Sequence, residues 1–304
     1  MTVLGRKSYA SVGRAMVDIG IGLPATIPGT SGSLILDWAK QADSGPFSSL
    51  GIIDRLVYPN YEPLVTLAAA AAVTERVRLM STVLIGPLRQ AGVLAKQAAT
   101  IDALSGGRLT LGLGVGARED DFRAAPTSFH DRSRRFEEQL ALMKRLWSGQ
   151  PVSDEIGPVG PPPVRSGGPE LLIGAYSPTA IRRVGRWADG FITGGVPDPE
   201  QVRQMFDLAE ESWRAEGREG KPRLVAALYY ALGPNAADRG GDYIRDYYSY
   251  FGPAADDMAR SIPSSPEALD NLIRGLGEVG ADEVVCWPTV AELDQVDRLA
   301  EVVG

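Results

Sequence analysis

The sequence predicts an α/β fold, a single (β/α)8 TIM barrel, on three observations. From Met16 onward, β-branched or Leu-rich runs alternate with helical segments, which is the pattern of repeated βα units rather than of a sandwich. The runs number eight. Eight units over roughly 285 residues close most simply into a barrel, because a doubly wound sheet of that size usually splits or adds a domain.

Taken in order, the strand runs are 17–23, 48–53, 77–85, 108–113, 170–173, 190–193, 223–232 and 283–287. Most are apolar on both faces, as strands packed between a barrel interior and an outer ring of helices must be. Helical runs follow their strands at 63–74, 92–104, 133–147, 178–187 and 199–216. In 92–104, Leu94, Ala98, Ile101 and Leu104 form one stripe while Lys96, Gln97 and Thr100 lie elsewhere. That run stops at Ser105-Gly106-Gly107, a glycine termination before the next strand. The Pro- and Gly-rich stretch 149–169 reads as an irregular crossover. It is not a domain linker, since four strands fall on each side and half a barrel cannot bury its own sheet. Tyr243, Tyr247 and Tyr250, at i, i+4 and i+7, are expected to share one helical face, either packing the helix on the barrel or lining a planar ligand. Residues 1–15 carry Arg6, Lys7 and Arg14 without an apolar centre, so they read as a flexible tail rather than a secretory signal, with the barrel over 16–304.

Composition excludes several function classes. Apolar residues at 44% and charged residues at 23% are ordinary for a globular chain. The net charge of −7 comes with no basic run, so nucleic acid is not an expected partner. The longest apolar stretch, 64–73, is ten residues, against roughly 20 for a membrane span. No membrane association is expected. Cys286 and His130 are the only residues of their types. No intramolecular disulfide or structural Cys/His zinc site can be built from them, and a cytoplasmic, metal-free protein is expected.

Barrel sites form at the C-terminal ends of the strands, which directs attention to 24–31, 54–61, 86–90, 114–122, 174–177, 194–196 and 287–289. In Gly112-Leu-Gly114-Val115-Gly116, alternate glycines at a strand end would let a flat ring approach the backbone, or would serve barrel packing alone. The dinucleotide fingerprint is absent, because Ala117 stands where its third glycine would have to be. After the fifth strand, Ser177 can cap a helix opened by Pro178, with free amides facing an anion. Arg55 and Arg89 could place positive charge near an anionic ring or stand as solvated rim residues, and His130, the lone histidine, could act as an acid or base or cap the following helix.

Five blocks carry a family resemblance. They are Val73-Thr-Glu-Arg-Val-Arg-Leu79, Ala95-Lys-Gln-Ala-Ala-Thr-Ile-Asp-Ala-Leu-Ser-Gly-Gly-Arg-Leu109, Arg118-Glu-Asp-Asp-Phe-Arg123 with Arg134-Arg-Phe-Glu-Glu138, Gly174-Ala-Tyr-Ser-Pro-Thr-Ala-Ile-Arg-Arg183, and Ala188-Asp-Gly-Phe-Ile192. In order and spacing the chain resembles the luciferase-like monooxygenase family of flavin- and deazaflavin-dependent oxidoreductases. The resemblance implies a reduced FMN across the barrel mouth, or alternatively the deazaflavin coenzyme F-420. Its phosphate would be held by Gly174, Tyr176, Ser177 and Thr179, and its ring would lie over Gly114, Val115 and Gly116. It also implies a cis peptide between Thr82 and Val83 beneath the ring. The expected activity is monooxygenation or oxidoreduction of a small organic substrate, with a flavin reductase as supplier and a homodimer as assembly. Hydride transfer from the deazaflavin is the alternative activity, and a non-catalytic flavin-binding barrel a third. Two family features are missing. Asp54-Arg55 stands where many relatives place a histidine, and Val115 where luciferase-type members place a phosphate-binding arginine. Ala117 also replaces the glutamate of the sugar-phosphate dehydrogenase branch.

Overall fold

The computed structural model describes residues 17–195 and 198–304. The expected tail 1–15, Met16 and Val196 lie outside the described residues. Strands β1 (Asp18–Gly22), β2 (Ser49–Ile52), β3 (Arg78–Ser81), β4 (Leu84–Ile85), β5 (Leu109–Gly114), β6 (Glu170–Gly174), β7 (Gly190–Gly195), β8 (Arg223–Tyr230) and β9 (Glu283–Pro288) form one parallel sheet. Its order is β3-β2-β1-β9-β8-β7-β6-β5-β4, and an additional β3–β5 pairing closes it into a TIM barrel.

The third predicted strand is one barrel position in two pieces. β3 pairs with β5 at Leu79–Leu109 and Met80–Thr110, and β4 pairs with it at Leu84–Leu113 and Ile85–Gly114. Between the pieces lies a cis Thr82–Val83 peptide, at the position implied by the resemblance. Counting β3 and β4 as one leaves eight positions around the barrel, as predicted.

Helices begin where the sequence punctuates them. Glu62, Ser177, Asp198 and Ser265 each accept a backbone N–H from the first turn, and each is followed by a proline that suits that turn. The helix Pro199–Ala215 buries Val202, Met205, Phe206, Ala209 and Trp213, the stripe that a 3.6-residue period brings to one side. Three helical expectations need correction. The stripe of 92–104 ends at Ile101, since Leu104 is exposed on the helix Ala91–Leu104. The run 178–187 splits into Pro178–Ile181 and Arg183–Trp187. The tyrosines do not share a face, because the helix Ala236–Tyr247 stops before Tyr250, which sits in the 3-10 turn Ser249–Phe251.

Two apolar layers hold the barrel. The outer one packs strands on helices, with Leu50, Leu111, Phe191 and Cys286 fully buried against residues such as Trp38, Leu94 and Phe206. Burial also pushes the Cys286 thiol up, so it behaves as a small hydrophobe. The inner layer is made by side chains inside the barrel, among them Met80, Leu172, Ile192, Val225 and Val285.

Below that layer, at the N-terminal end, the bore is closed by charge. Arg223 donates to Glu170 and Glu283, Arg78 donates to Glu170 at 2.9 Å, and Ser48 and Ser49 donate to Glu283 at 2.5 Å each. Gly20 belongs to this plug, because a Cβ there would lie 2.9 Å from a Glu283 oxygen. Among the described residues, no helix is long and apolar enough to cross a membrane, and no cluster of His, Cys, Asp and Glu could hold a metal.

Candidate active site

The opposite, C-terminal end of the barrel holds a cavity of about 350 Å3. Its floor is Trp287, carried by β9. The indole lies across the bore. A Cβ on Gly22 would overlap its Cδ1, one on Gly51 would lie 3.4 Å from its Nε1, and one on Gly195 would lie 3.4 Å from its Cζ3. Three strands therefore carry glycine where one side chain needs room. Trp287 Nε1 is buried and has no hydrogen-bond partner.

A second wall is the Thr82–Val83 bulge. Val83 points into the space left by two glycines: a Cβ on Gly114 would sit 2.9 Å from Val83 Cγ2, and one on Gly174 would sit 2.7 Å from Val83 Cγ1. Gly112 makes way for the Ser81 carbonyl, and Ser81 Oγ donates back to the Gly112 carbonyl at 2.8 Å. Gly116, at φ +76°, faces Ile85 and Phe122. Gly112 and Gly114 of β5 thus make room for the bulge, and Gly114 also lines the cavity.

The third wall is aromatic. Tyr229 from β8 packs on Trp287 with ring centroids 5.0 Å apart, and its hydroxyl lies 2.9 Å from that of Tyr248. Tyr247 and Tyr248 meet edge to face at 4.9 Å, and Tyr248 stacks on Phe251 at 5.8 Å. Burial raises the Tyr229, Tyr247 and Tyr248 hydroxyls well above the usual phenol range, so all three are neutral at ordinary pH. Tyr243 is turned elsewhere and pairs with Thr26 at 2.7 Å.

Three arginines line the same mouth. Arg55, with only 5% of its side chain exposed, lies 5.0 Å from the centroid of Tyr58 and 5.5 Å from that of Tyr247. It donates to the Val57 carbonyl at 2.7 Å, while its Nε has no partner and stops 3.9 Å from the equally orphaned Oδ2 of Asp121. Arg118 lies 3.9 Å over Tyr250 and donates to the Tyr247 carbonyl. Arg132 donates to the Gly116 and Phe129 carbonyls, and among the described residues it has no carboxylate in ion-pair range.

Of the residues singled out from the sequence, Arg55, Thr82, Val83, Gly114, Val115, Gly116, Gly174, Tyr176 and Ser177 line this cavity together. Arg89, His130 and Thr179 are not among its lining. Arg89 is drawn away by Asp54, to which it donates at 2.5 Å, and by Glu62 at 3.0 Å. His130 is exposed on the loop before the helix Arg132–Trp147, edge-on to Phe129. Thr179 is exposed on the short helix Pro178–Ile181. Conversely, Tyr229, Tyr248 and Arg132 are lining residues to which the sequence gave no site role. Tyr229 sits inside a run read as strand. Tyr248 stands one place from the expected helical stripe, a distinction that disappears where the helix ends at Tyr247.

The donor set suits a flat ring with a polar edge and an anionic end. The walls are mainly aromatic and aliphatic, two buried N–H donors lack partners, and the charged side chains at the rim are chiefly arginines.

A family model described as luciferase-like monooxygenase matches residues 17–274. A protein of Mycobacterium tuberculosis (strain ATCC 25618 / H37Rv), described as uncharacterised, is 33% identical over 194 residues, 62% of this chain and 68% of its own length. The phthiodiolone/phenolphthiodiolone dimycocerosates ketoreductase of the same strain is 33% identical over 180 residues, 56% of this chain but only 47% of its own length. Among solved structures, an F-420-dependent secondary alcohol dehydrogenase in complex with an F-420–acetone adduct superposes with a TM-score of 0.77 at 16% identity, covering 94% of this chain and 98% of that one. A monooxygenase from Streptomyces bottropensis superposes with a TM-score of 0.73 at 21% identity, covering 94% and 97%. At these identities the superpositions speak to the fold.

Proposed function

The chain belongs to the luciferase-like monooxygenase family, and from that premise we propose that it is an oxidoreductase working with reduced FMN and oxygen on a small organic substrate. The observation that carries this reading is the mouth itself, a cavity of about 350 Å3 with an aromatic wall, a projecting Val83 and the unpartnered N–H of Trp287. Reduced flavin, when bound, supplies the electrons and the site of oxygen chemistry.

The protein's own groups bind, orient and exclude water. Val83 and Trp287 would support the two sides of a ring, and the tyrosines would keep bulk water out. Arg55 would place its positive charge near a developing negative charge at the ring edge. Ser177, with Gly174 and Tyr176, would receive the phosphate end, with Arg132 as the nearby cation.

A second reading is carbonyl reduction by hydride transfer from the deazaflavin coenzyme F-420. It is supported by the 33% identity to a ketoreductase. Both readings are tested by titrating FMN and coenzyme F-420 separately into the purified protein, following tryptophan emission, and then measuring oxygen uptake with a flavin reductase present. Micromolar FMN affinity with reductase-dependent oxygen uptake is expected. Tight binding of coenzyme F-420 alone would replace the first reading by the second. Binding of neither would remove both.

A further inference from the structure

The hydroxyls of Tyr229 and Tyr248 lie 2.9 Å apart at the cavity wall, and the two residues are 7% and 9% exposed. Two phenol groups bring two protons to this contact, but a single hydrogen bond between them uses one. The second O–H has no bonded acceptor among the described residues. Its surroundings are aromatic: Trp287 and Tyr248 against Tyr229, and Tyr247, Tyr250 and Phe251 against Tyr248. A buried O–H without an acceptor is costly, and the open side of this pair is the cavity that both residues line.

Charge is laid out unevenly around it. Arg55 lies 5.5 Å from the ring centroid of Tyr247 and Arg118 3.9 Å from that of Tyr250, whereas among the described residues no cation stands over the ring of Tyr229 or Tyr248. One side of the mouth is therefore cationic, and the side holding the pair is polar without net charge.

We infer that the Tyr229–Tyr248 hydroxyl pair anchors the substrate by donating a hydrogen bond to an uncharged oxygen, and that the substrate is a neutral, mostly apolar molecule bearing a carbonyl or hydroxyl group. This rests on the mouth being the substrate cavity, and it holds for either cofactor, because a ketone and its alcohol share that oxygen. One hydroxyl donates to the other, and the second donates outward. A donor already accepting a bond is polarised by it, which strengthens the outward one. A carboxylate-bearing substrate would instead belong beside the arginines.

The test uses two probes of nearly equal shape, acetophenone and α-methylstyrene, in which a carbonyl oxygen is exchanged for a methylene. Binding is measured by calorimetry on the full chain, with and without FMN, for the unaltered protein, Tyr229→Phe, Tyr248→Phe and the double variant. The ratio of acetophenone to α-methylstyrene affinity is expected to be about five- to tenfold higher in the unaltered protein than in the double variant, the range of one net hydrogen bond. The double variant should keep its far-ultraviolet dichroism and its affinity for α-methylstyrene, and lose affinity for acetophenone. The carbonyl stretch of bound acetophenone should be lowered in the unaltered protein and should return to its apolar-solvent position in the double variant. An acetophenone-to-α-methylstyrene affinity ratio that is the same in the unaltered protein and in the double variant would overturn the inference. Because the probes are titrated without cofactor as well, a carbonyl preference in a protein that binds neither FMN nor coenzyme F-420 would keep the anchor and discard the proposed reaction.

Discussion

The two ends of this barrel are built on opposite rules. At the N-terminal end, Arg223 lies between Glu170 and Glu283, and Arg78, Ser48, Ser49 and Thr110 supply the remaining donors, so the buried charges all have partners. At the C-terminal end, Trp287 Nε1 is buried without a hydrogen-bond partner, Arg55 Nε and Asp121 Oδ2 face each other at 3.9 Å without a hydrogen bond, and a tyrosine pair holds a surplus proton. A polar atom left unsatisfied inside a protein is destabilising unless something arrives to meet it. The satisfied end keeps the barrel closed, and the unsatisfied end is shaped to meet a ligand. Three changes test whether that division is real.

The largest effect is expected at the closed end. Arg223→Met removes the cation that lies between Glu170 and Glu283 and leaves two carboxylates facing one another, one of them 1% exposed. Breaking a buried pair in this way costs about 3–5 kcal/mol, which for a chain of this size lowers the melting temperature by on the order of 10 °C. The ligand end should be indifferent. Calorimetric melting should show the loss while FMN affinity, measured well below the transition, stays within about twofold. An equal loss of ligand affinity would show that the ends are one cooperative unit and that the contrast is only descriptive.

A smaller change should divide the other way. Gly174→Ala places a methyl group 2.7 Å from Val83 Cγ1, and overpacking of this kind costs about 1–3 kcal/mol. Val83 lines the cavity, so its displacement should weaken FMN binding roughly tenfold or more, with a melting temperature lowered by only a few degrees. Adding Val83→Ala returns the room and should recover much of the affinity. Failure of the double variant to recover would mean that Gly174 acts through its backbone toward the ligand and not through Val83.

How much of this could be read beforehand differs between the ends as well. The eight βα units, the proline-opened helices and the Thr82–Val83 bulge were legible because periodicity, capping and the family-like blocks are local in sequence. The pairing of Arg223 with Glu170 and Glu283 was not, since it joins residues 53 and 60 positions apart that only barrel closure brings together. Arg89 shows the same limit in reverse. Read from its place after the third strand it belonged at the mouth, but Asp54 and Glu62, both charged and both close by, give its guanidinium a better destination. The glycines of β5 were noticed for the right property, the absence of a Cβ, but the choice between ring approach and barrel packing stayed open in the sequence, because the neighbour that needs the room, Val83, lies outside their own strand. Tyr229 illustrates a general blind spot. In a barrel strand, alternate residues face inward, and the last inward one can be core or site depending on whether anything is stacked above it.

The smallest effect concerns the aromatic wall in alkali. Tyr229, Tyr247 and Tyr248 have hydroxyls raised well above 10 by burial, whereas an unfolded tyrosine ionises near 10. Below about pH 10 neither state is ionised at these positions, so their contribution to stability is complete there. Above it the unfolded chain releases protons that the folded one retains, and stability falls as the pH rises further. No gain or loss is expected from these groups in the acid range. A titration followed at 295 nm should therefore show the phenolate signal of the wall appearing together with the loss of far-ultraviolet dichroism, not before it. In Tyr248→Phe the unfolding-linked phenolate step should shrink, while the alkaline midpoint should move little, because Tyr229 and Tyr247 still withhold their protons. A phenolate step completed before the fold opens would mean that the wall is wet. The mouth would then lose its character as a dry compartment, and with it the contrast between an end that satisfies its own polar groups and an end that waits for a ligand to do so.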